Sequence, residues 1–285
     1  MKFFKGKRVM ITGGDGLIGR ELAELLRKEQ CFIEIVDLKR GYNLKNFDAC
    51  ISYISEYKPD YIFHLMGIKG NPKKTKERPA DFMIPMLQCD TNMIESASLC
   101  NVKRFLYTSS IAVENPESDK YPAWAKMTAE TLIDAMRIQY GDRTEFCIVR
   151  PANVYGRFDN FDNPDAMVIT SLIGKALKDK KLILDRKGAA QERDFINSKD
   201  VAKGMIKAMI EMPKFPVNLC SGQGVCIGNI AQYIAKELNV ELEMKDLNLV
   251  LGPNKKVMKR NWDNPLTISI ERGITEAIKW TPKTS

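Results

Sequence analysis

The feature that most constrains the fold of this chain is a glycine-rich turn near its start. The turn reads T-G-G-D-G-L-I-G over residues 12–19. An apolar, β-branched run precedes it at 8–12, and residues 17–29 then carry apolar side chains at helical spacing. A second β-branched run follows at 31–37. The beginning of the chain therefore predicts a β-turn-α-β unit.

The alternation of strands and helices continues beyond this unit. The pattern predicts strands at 61–65, 104–108 and 145–149, and helices at 86–100 and 123–140. Such alternation predicts an α/β fold, a doubly wound Rossmann-type parallel sheet covered on both faces.

The rhythm loosens after about residue 155. Helices are expected at 168–178 and 227–238, with short strands near Leu182 and Val217. We therefore expect a dinucleotide-binding domain over 1–155, to which segments around 190–220 return, and a smaller substrate-binding lobe mainly over 156–285.

Composition excludes several classes of function. The chain has 285 residues and a formal net charge of +8, but its Lys and Arg residues are spread along the sequence. This distribution favours a small polyanion, such as a nucleotide diphosphate, over nucleic acid. The seven cysteines are scattered and no apolar run is long enough to cross a bilayer, so we expect a cytoplasmic protein with no membrane partner. A single histidine argues against a metal centre.

The glycine turn has the spacing needed to hold a dinucleotide. Gly13 permits a tight turn, Gly16 lets the backbone approach the pyrophosphate, and Gly19 allows close packing of the helix. The following helix start would present its N–H groups and positive dipole end to the phosphates. Asp37, at the end of the second strand, would accept hydrogen bonds from the ribose hydroxyls.

The charges near Asp37 bear on the choice of coenzyme. Asp37 and Asp15 would repel a 2′-phosphate and thus favour NAD, whereas Lys39 and Arg40 argue for NADP because cations can neutralise that phosphate. We expect NAD.

With this turn in place, the sequence resembles the extended short-chain dehydrogenase/reductases (NAD-dependent epimerase/dehydratase family) almost from end to end. Within that family it is similar to the GDP-sugar branch, which includes GDP-fucose synthase and GDP-mannose 3,5-epimerase. The segments that carry the resemblance are H-L-M-G-I-K-G (64–70), P-A-D-F (79–82), T-N (91–92), Y-T-S-S (107–110), R-P-A-N-V-Y-G (150–156), D-N-F (159–161), R-D-F-I (193–196) and V-M-K-R-N-W-D-N (257–264).

The resemblance implies a set of binding residues. Besides the three glycines, Asp15 and Asp37, the residues expected to contact the cofactor are Leu17, Ile18, Leu38, Asn43, Leu44, Leu65, Met66, Gly67, Asn92, Lys126, Pro151, Asn153 and Val154. Those expected to contact the substrate are Lys69, Ser109, Ser110, Asn153, Arg193, Arg260 and Asn261. An Arg fork suits a diphosphate because it forms bidentate, charge-assisted bonds.

The resemblance also implies a catalytic set of Ser, Tyr and Lys. Ser110 fits the serine, with Ser109 as the alternative one residue earlier, and Lys126 fits the lysine. In the family the tyrosine lies four residues before the lysine, on the same helix face, and the ammonium favours its phenolate form. That position is Pro122 here.

Tyr121 lies five residues before Lys126, about 100° away from the required helix face. A proline at a helix start would place Tyr121 in the N-cap region, where its backbone need not be helical. We therefore take Tyr121 as the candidate acid/base.

Proton-carrying groups that the epimerases of this branch use are also absent. The corresponding positions are Ala112, or Ile111 if Ser109 is the catalytic serine, and Met167. Hydride transfer at one sugar carbon survives this loss, whereas C3/C5 epimerisation does not. We expect His64 to be a packed residue facing the cofactor rather than a catalyst.

These observations predict an NAD-dependent oxidoreductase that exchanges a hydride with a carbon, C4, of a GDP-linked sugar. One alternative is an NAD-retaining 4-epimerase, and another is a non-catalytic nucleotide-sugar or dinucleotide-binding protein whose tyrosine has been lost. The family resemblance further implies a homodimer formed through the helices at 86–100 and 123–140.

Overall fold

Apolar strands and amphipathic helices alternate around a central sheet. The computed structural model describes residues 3–68, 72–141, 143–163, 166–247 and 255–281. Its strands are Arg8–Thr12 (β1), Phe32–Val36 (β2), Tyr61–His64 (β3), Arg104–Thr108 (β4), Glu145–Pro151 (β5), Asn153–Tyr155 (β6), Lys181–Asp185 (β7), Glu192–Arg193 (β8), Phe195–Asn197 (β9), Val217–Leu219 (β10), Val225–Cys226 (β11), Glu241–Lys245 (β12) and Lys255–Lys256 (β13).

The helices pack around these strands. They are Leu17–Arg27 (α1), Phe47–Tyr57 (α2), Pro72–Glu77 (α3), Pro79–Leu99 (α4), Lys120–Tyr140 (α5), Val168–Asp179 (α6), Arg186–Ala189 (α7), Ser198–Glu211 (α8), Ile227–Leu238 (α9) and Ile270–Trp280 (α10). Short 3-10 turns span Leu38–Arg40, Ile111–Glu114 and Pro116–Asp119. Among the described residues, no helix combines the length and the apolar character that crossing a membrane requires.

The central sheet has six strands in the order β10-β5-β4-β3-β1-β2, and all neighbouring pairs are parallel. From β1 the chain passes to β2 on one side and then returns to β3 on the other. The strand order therefore reverses between β1 and β3, which is where ligands bind in open α/β sheets. The expected Rossmann-type α/β fold is confirmed.

Helices cover both faces of this sheet. On one face, α1 and α8 contribute buried side chains such as Leu22 and Met205 to one apolar cluster. On the other, α2, α4 and α5 contribute Ile54, Met93 and Ile133 to a second cluster. Each fully buried side chain of this size stabilises the fold by roughly 1.5–3 kcal/mol relative to an exposed one.

A third apolar cluster lies in the C-terminal part of the chain. It joins α6, α9 and α10 to the strand pair β7 and β12 through residues such as Ile173, Ile234 and Ile274. Strands β11, β8 and β13 form a separate small sheet, while β10 pairs with β5 in the central sheet. The division of the chain near residue 155 stays a prediction.

Two helices begin earlier than the sequence pattern predicts. Helix α4 starts at Pro79 rather than near Met86 and continues through Pro85, with Phe82 and Met86 buried on either side. An interior proline removes a backbone hydrogen bond, so the sequence pattern predicts a helix that starts after it, but burial of the flanking side chains offsets that cost. Helix α5 starts at Lys120 rather than at Ala123.

The early start of α5 corrects the expected backbone of Tyr121. Asp119 is the N-cap residue, so Tyr121 is the second helical residue and does not lie in the N-cap region. Pro122 is the third, within the first turn, where a missing N–H is tolerated. The angular offset between Tyr121 and Lys126 therefore applies in full.

Candidate active site

The glycine turn adopts a backbone that only glycine accommodates at its first position. Gly13 has a φ of +66° in the left-handed region, and a Cβ built there would lie 2.9 Å from the carbonyl oxygen of Leu65. The Gly13 N–H donates to the Val36 carbonyl oxygen at 2.9 Å. The turn is thus held closely between the ends of β2 and β3.

The same turn places the start of α1 where the strand order of the sheet reverses, between β1 and β3. Gly16 is the N-cap residue in an extended conformation, and no side chain among the described residues caps the helix. A Cβ at Gly19 would lie 2.6 Å from the Gly13 carbonyl oxygen, so only glycine permits this contact. The first turn of α1 carries no acidic side chain and presents uncapped N–H groups, an arrangement that fits the diphosphate of a dinucleotide.

Asp37 lies next to the glycine turn and the start of α1, which together are called the diphosphate cradle below. The carboxylate of Asp37 accepts from the backbone N–H of Asp15 at 3.3 Å and from that of Lys39 at 3.1 Å. Arg40 forms a two-pronged ion pair with Asp15, at 2.7 and 2.8 Å. That bond from Arg40 lowers the pKa of Asp15.

A cavity of about 470 Å³ opens beside these charges. Its lining includes four cationic side chains, Arg20, Arg27, Lys39 and Arg40, together with the acids Asp15 and Glu24. The cations attract a phosphate and Asp15 with Asp37 repel one, so the geometry retains the opposing charges that the sequence shows.

Other predicted cofactor residues surround the same edge of the sheet. Leu38 is exposed beyond Asp37, whereas Leu44 is buried. The Asn92 side chain donates to the Leu44 carbonyl oxygen at 3.0 Å, so it orders the 43–45 segment. Leu65 and Met66 are half-buried and Gly67 is exposed after β3.

Lys126 lies on α5 facing the end of β3. Its Nζ donates to the Met66 carbonyl oxygen at 3.3 Å and to Oδ2 of Asp90 at 3.1 Å. The segment 65–66 therefore spans the site, because Leu65 contacts the glycine turn and Met66 contacts the lysine. Segment 65–66 thus lies between the glycine turn and Lys126.

The serines at the end of β4 differ in their environments. Oγ of Ser110 accepts from the backbone N–H of Ala112 at 3.1 Å, and its O–H donates to no partner among the described residues. Oγ of Ser109 is buried and has no hydrogen-bond partner among the described residues. Ser110 therefore combines a turn-capping role with a donor that a sugar hydroxyl can use.

The candidate acid/base lies at the start of α5. Tyr121 is 37% exposed at the start of α5. Asp119, just before it, is partly buried, and burial raises the pKa of its carboxyl group despite the attraction of Lys256 and Lys76. A carboxyl group with a raised pKa is a candidate proton carrier that the sequence analysis missed.

Cations from the small sheet face this region. Lys256 on β13 is the cross-strand neighbour of Arg193 on β8, and burial lowers its pKa. Arg193 donates to the Gln191 side chain at 2.8 Å. Two cations on adjacent strands form a local positive surface. The sequence analysis included Arg193 among the substrate residues but not Lys256.

The remaining predicted substrate residues make structural contacts as well. The Asn153 side chain donates to the Asp194 carbonyl oxygen at 2.8 Å, and the Asn261 side chain bridges Asn218 and Pro216. Arg260 is 40% exposed at its side chain and lies 3.8 Å from Asp263. Lys69 lies outside the described residues. Pro151 is buried in β5 opposite β10, and Val154 packs on the main core.

Asp90 is the clearest residue that sequence reasoning missed. It lies on α4 in register with Met86, Met93 and Ala97, all buried, and is itself fully buried. A carboxylate on the apolar face of a helix predicts a buried partner, so the helical periodicity held the signal. Its partners were not identifiable because they lie 17 to 36 residues away along the chain.

Comparison with known proteins identifies relatives across the chain. A model of the NAD dependent epimerase/dehydratase family matches residues 9–219. The chain is 24% identical over 309 residues to a GDP-L-fucose synthase of Sinorhizobium fredii, and this match covers 100% of the chain and 93% of the relative.

Solved structures with the same fold are bound to different coenzymes. A GDP-L-fucose synthetase from Naegleria fowleri bound to NADP superposes with a TM-score of 0.84 at 23% identity, covering 98% of this chain and 95% of that one. A UDP-glucose 4-epimerase from Thermus thermophilus in complex with NAD gives a TM-score of 0.82 at 20% identity, with coverages of 96% and 98%. At these identities the likeness establishes the fold alone.

Proposed function

Because the chain belongs to the NAD dependent epimerase/dehydratase family, we propose that it is an NAD-dependent oxidoreductase that transfers a hydride at C4 of a GDP-linked sugar. The observation that carries the proposal is the continuous edge formed by the glycine turn, segment 65–66 and Lys126. GDP is favoured because the relative from Sinorhizobium fredii is named for a GDP-linked sugar.

Different residues along this edge bind different parts of the dinucleotide. The Gly13–Gly19 turn and the α1 start bind a diphosphate, Asp37 accepts bonds from the adenosine ribose, and Lys126 donates to the second ribose. When bound, the nicotinamide supplies the acceptor or donor of hydride. The backbone fits this group because glycine at positions 13 and 19 lets the turn pack against Leu65 and against itself. This packing brings the uncapped N–H groups at the start of α1 to the edge of the sheet.

The protein's own chemistry is orientation and proton transfer at the sugar hydroxyl. Ser110 donates its free O–H to the oxygen on the reacting carbon and aligns that carbon for hydride transfer. Tyr121 is the proposed acid/base, and Asp119 is a second candidate because it lies two residues earlier and burial raises its pKa. The cations Arg193, Lys256 and Arg260 bind the substrate diphosphate.

The preference for NAD rests on the balance of charges beside Asp37. Arg40 is engaged by Asp15, which reduces the positive charge available to a 2′-phosphate. Asp37 adds a second negative charge at the ribose position. We therefore propose that NAD binds more tightly than NADP.

Turnover assays with the purified chain test the function. GDP-sugars with a C4 hydroxyl or a C4 keto group are mixed with either coenzyme, and the absorbance of reduced nicotinamide is followed, with Lys126→Met as the inactive control. We expect a net absorbance change with one of these substrates. Interconversion of C4 epimers without net absorbance change would instead indicate a 4-epimerase, and binding without any conversion would indicate a non-catalytic protein.

A further inference from the structure

A buried hydrogen-bonded chain connects the glycine turn to Lys126. Thr12 Oγ1 lies 2.7 Å from His64 Nδ1, and His64 Nε2 lies 2.9 Å from Oδ1 of Asp90. Oδ2 of Asp90 receives the Tyr107 hydroxyl at 2.6 Å and the Lys126 ammonium at 3.1 Å. The side chains of His64 and Asp90 are at most 1% exposed and that of Lys126 is 7% exposed.

The protonation state of each group follows from its partners. Burial opposes ionisation of Asp90, but attraction from Lys126 and bonds from His64 and Tyr107 outweigh it, so the pKa of Asp90 is lowered. A carboxylate only accepts, so His64 must donate through Nε2. Burial lowers the pKa of His64, and its neutral ring then accepts at Nδ1 from the Thr12 hydroxyl. Thr12 Oγ1 in turn accepts from the Leu65 N–H at 3.2 Å.

This chain constrains the lysine from two sides. The Lys126 Nζ lies 4.7 Å from the centre of the Tyr107 ring, while Asp90 and the Met66 carbonyl take two of its three N–H donors. A lysine side chain otherwise samples many rotamers, and fixing it when a ligand binds costs conformational entropy. Fixing it beforehand removes that cost from the binding step.

We infer that Asp90 is a positioning residue that holds the Lys126 ammonium against the Met66 carbonyl and leaves one donor for the ribose. The inference rests on the proposed function, since it assigns Asp90 to the lysine of that site. Breaking a buried charge pair on one side leaves the other charge uncompensated, so removal of the Asp90 charge displaces the lysine toward water.

The single histidine of the chain supplies a direct test of this geometry. Nitrogen-15 NMR of the full-length protein at pH 7 is expected to show a neutral His64 protonated at Nε2. In Asp90→Asn the amide oxygen must stay on the side of Lys126 and Tyr107, because both of these groups donate. The amide NH₂ then faces His64 and donates to Nε2, so the ring proton moves to Nδ1. A charged His64, or an Nδ1–H tautomer in the wild type, would overturn the inference without any variant.

Binding of NAD to variants tests the positioning role. Asp90→Asn is expected to raise the NAD dissociation constant about tenfold, and to have no further effect when Lys126→Met is already present, because both act through one contact. Glu130→Gln, which removes the buried partner of Arg150 one turn further along α5, is the matched control and should leave NAD affinity unchanged. Unfolding curves verify that each variant is folded.

Two results separate the possible failures. If the effects of Asp90→Asn and Lys126→Met multiply, or if Asp90→Asn binds NAD as the wild type does, the positioning role is wrong. If the wild type binds neither coenzyme, the proposed function fails, and the inference fails with it even though the His64 signal has the expected form.

Discussion

Replacement of Gly13 by alanine perturbs the cofactor cradle at its most constrained atom. The new Cβ would lie 2.9 Å from the Leu65 carbonyl oxygen and 3.2 Å from the Met66 nitrogen, and the residue would keep a φ of +66°. Restoring the 3.4 Å of ordinary contact to Leu65 requires a shift of about 0.5 Å. Both neighbours are backbone atoms, so the turn or the end of β3 has to move.

The expected magnitude combines two separate costs. An L-residue in the left-handed region costs roughly 1–2 kcal/mol, and overpacking against fixed atoms costs typically 1–3 kcal/mol. Gly13→Ala should therefore lower the free energy of unfolding by about 2–5 kcal/mol. A displaced turn also misaligns the N–H groups that face the diphosphate, and we expect at least a tenfold loss of NAD affinity, about 1.4 kcal/mol.

Gly6→Ala is the matched control. Gly6 has a φ of +70° but no atom within 4 Å of a built Cβ, so it carries the backbone cost without the collision. Denaturant unfolding should show a loss of about 1–2 kcal/mol for Gly6→Ala, and calorimetric titration should show unchanged NAD affinity. Equal NAD affinities for Gly13→Ala and the wild type would refute the reasoning about the turn.

Three further predictions concern proton transfer, acid stability and assembly. Tyr121→Phe should lower kcat at least 100-fold if Tyr121 carries the proton, with Asp119→Asn near wild type; the opposite pattern in steady-state rates would assign the role to Asp119. The pKa of Asp90 is lowered in the folded state, so its stabilising contribution is full above about pH 4 and is lost as the pH falls further. In denaturant unfolding, the free energies of unfolding of Asp90→Asn and the wild type should therefore converge in acid. A pH-independent difference would contradict this. Because Ile138 on α5 and Ile84 on α4 are exposed, we propose that these two helices form a homodimer interface. Ile138→Glu should then convert the dimer to a monomer in sedimentation velocity, and an unchanged mass would exclude an interface through α4 and α5.

Local sequence signals were sufficient for the glycine turn and its flanking elements but not for the start of α5 or the surroundings of Lys126. The glycine spacing and the strand and helix on either side of it are all contained in residues 8–37, and the structure places them as expected. The start of α5 depended instead on tertiary packing. Pro122 is compatible with a helix that begins at Lys120, where it lies in the first turn, and with one that begins at Ala123, where it directly precedes the helix.

Long-range contacts explain what remained hidden. Asp90 meets His64 and Lys126 only after α4 and α5 pack on the sheet, and no spacing rule joins positions 26 and 36 residues apart. The approach of Lys256 to Asp119 likewise joins β13 to the start of α5, which are far apart along the chain. An isolated charge in an apolar helical stretch marked Asp90 as unusual, but it did not identify its partners.

The central claim is that the Gly13–Gly19 turn and segment 65–66 form one site for a dinucleotide. Calorimetric titration of the full-length protein with NAD, and separately with NADP, tests this most directly. We predict one site per chain, tighter binding of NAD than of NADP, and competition by ADP, which occupies the diphosphate cradle without reaching Lys126. Absence of binding heat for both coenzymes, together with an unchanged melting temperature in their presence, would contradict the account.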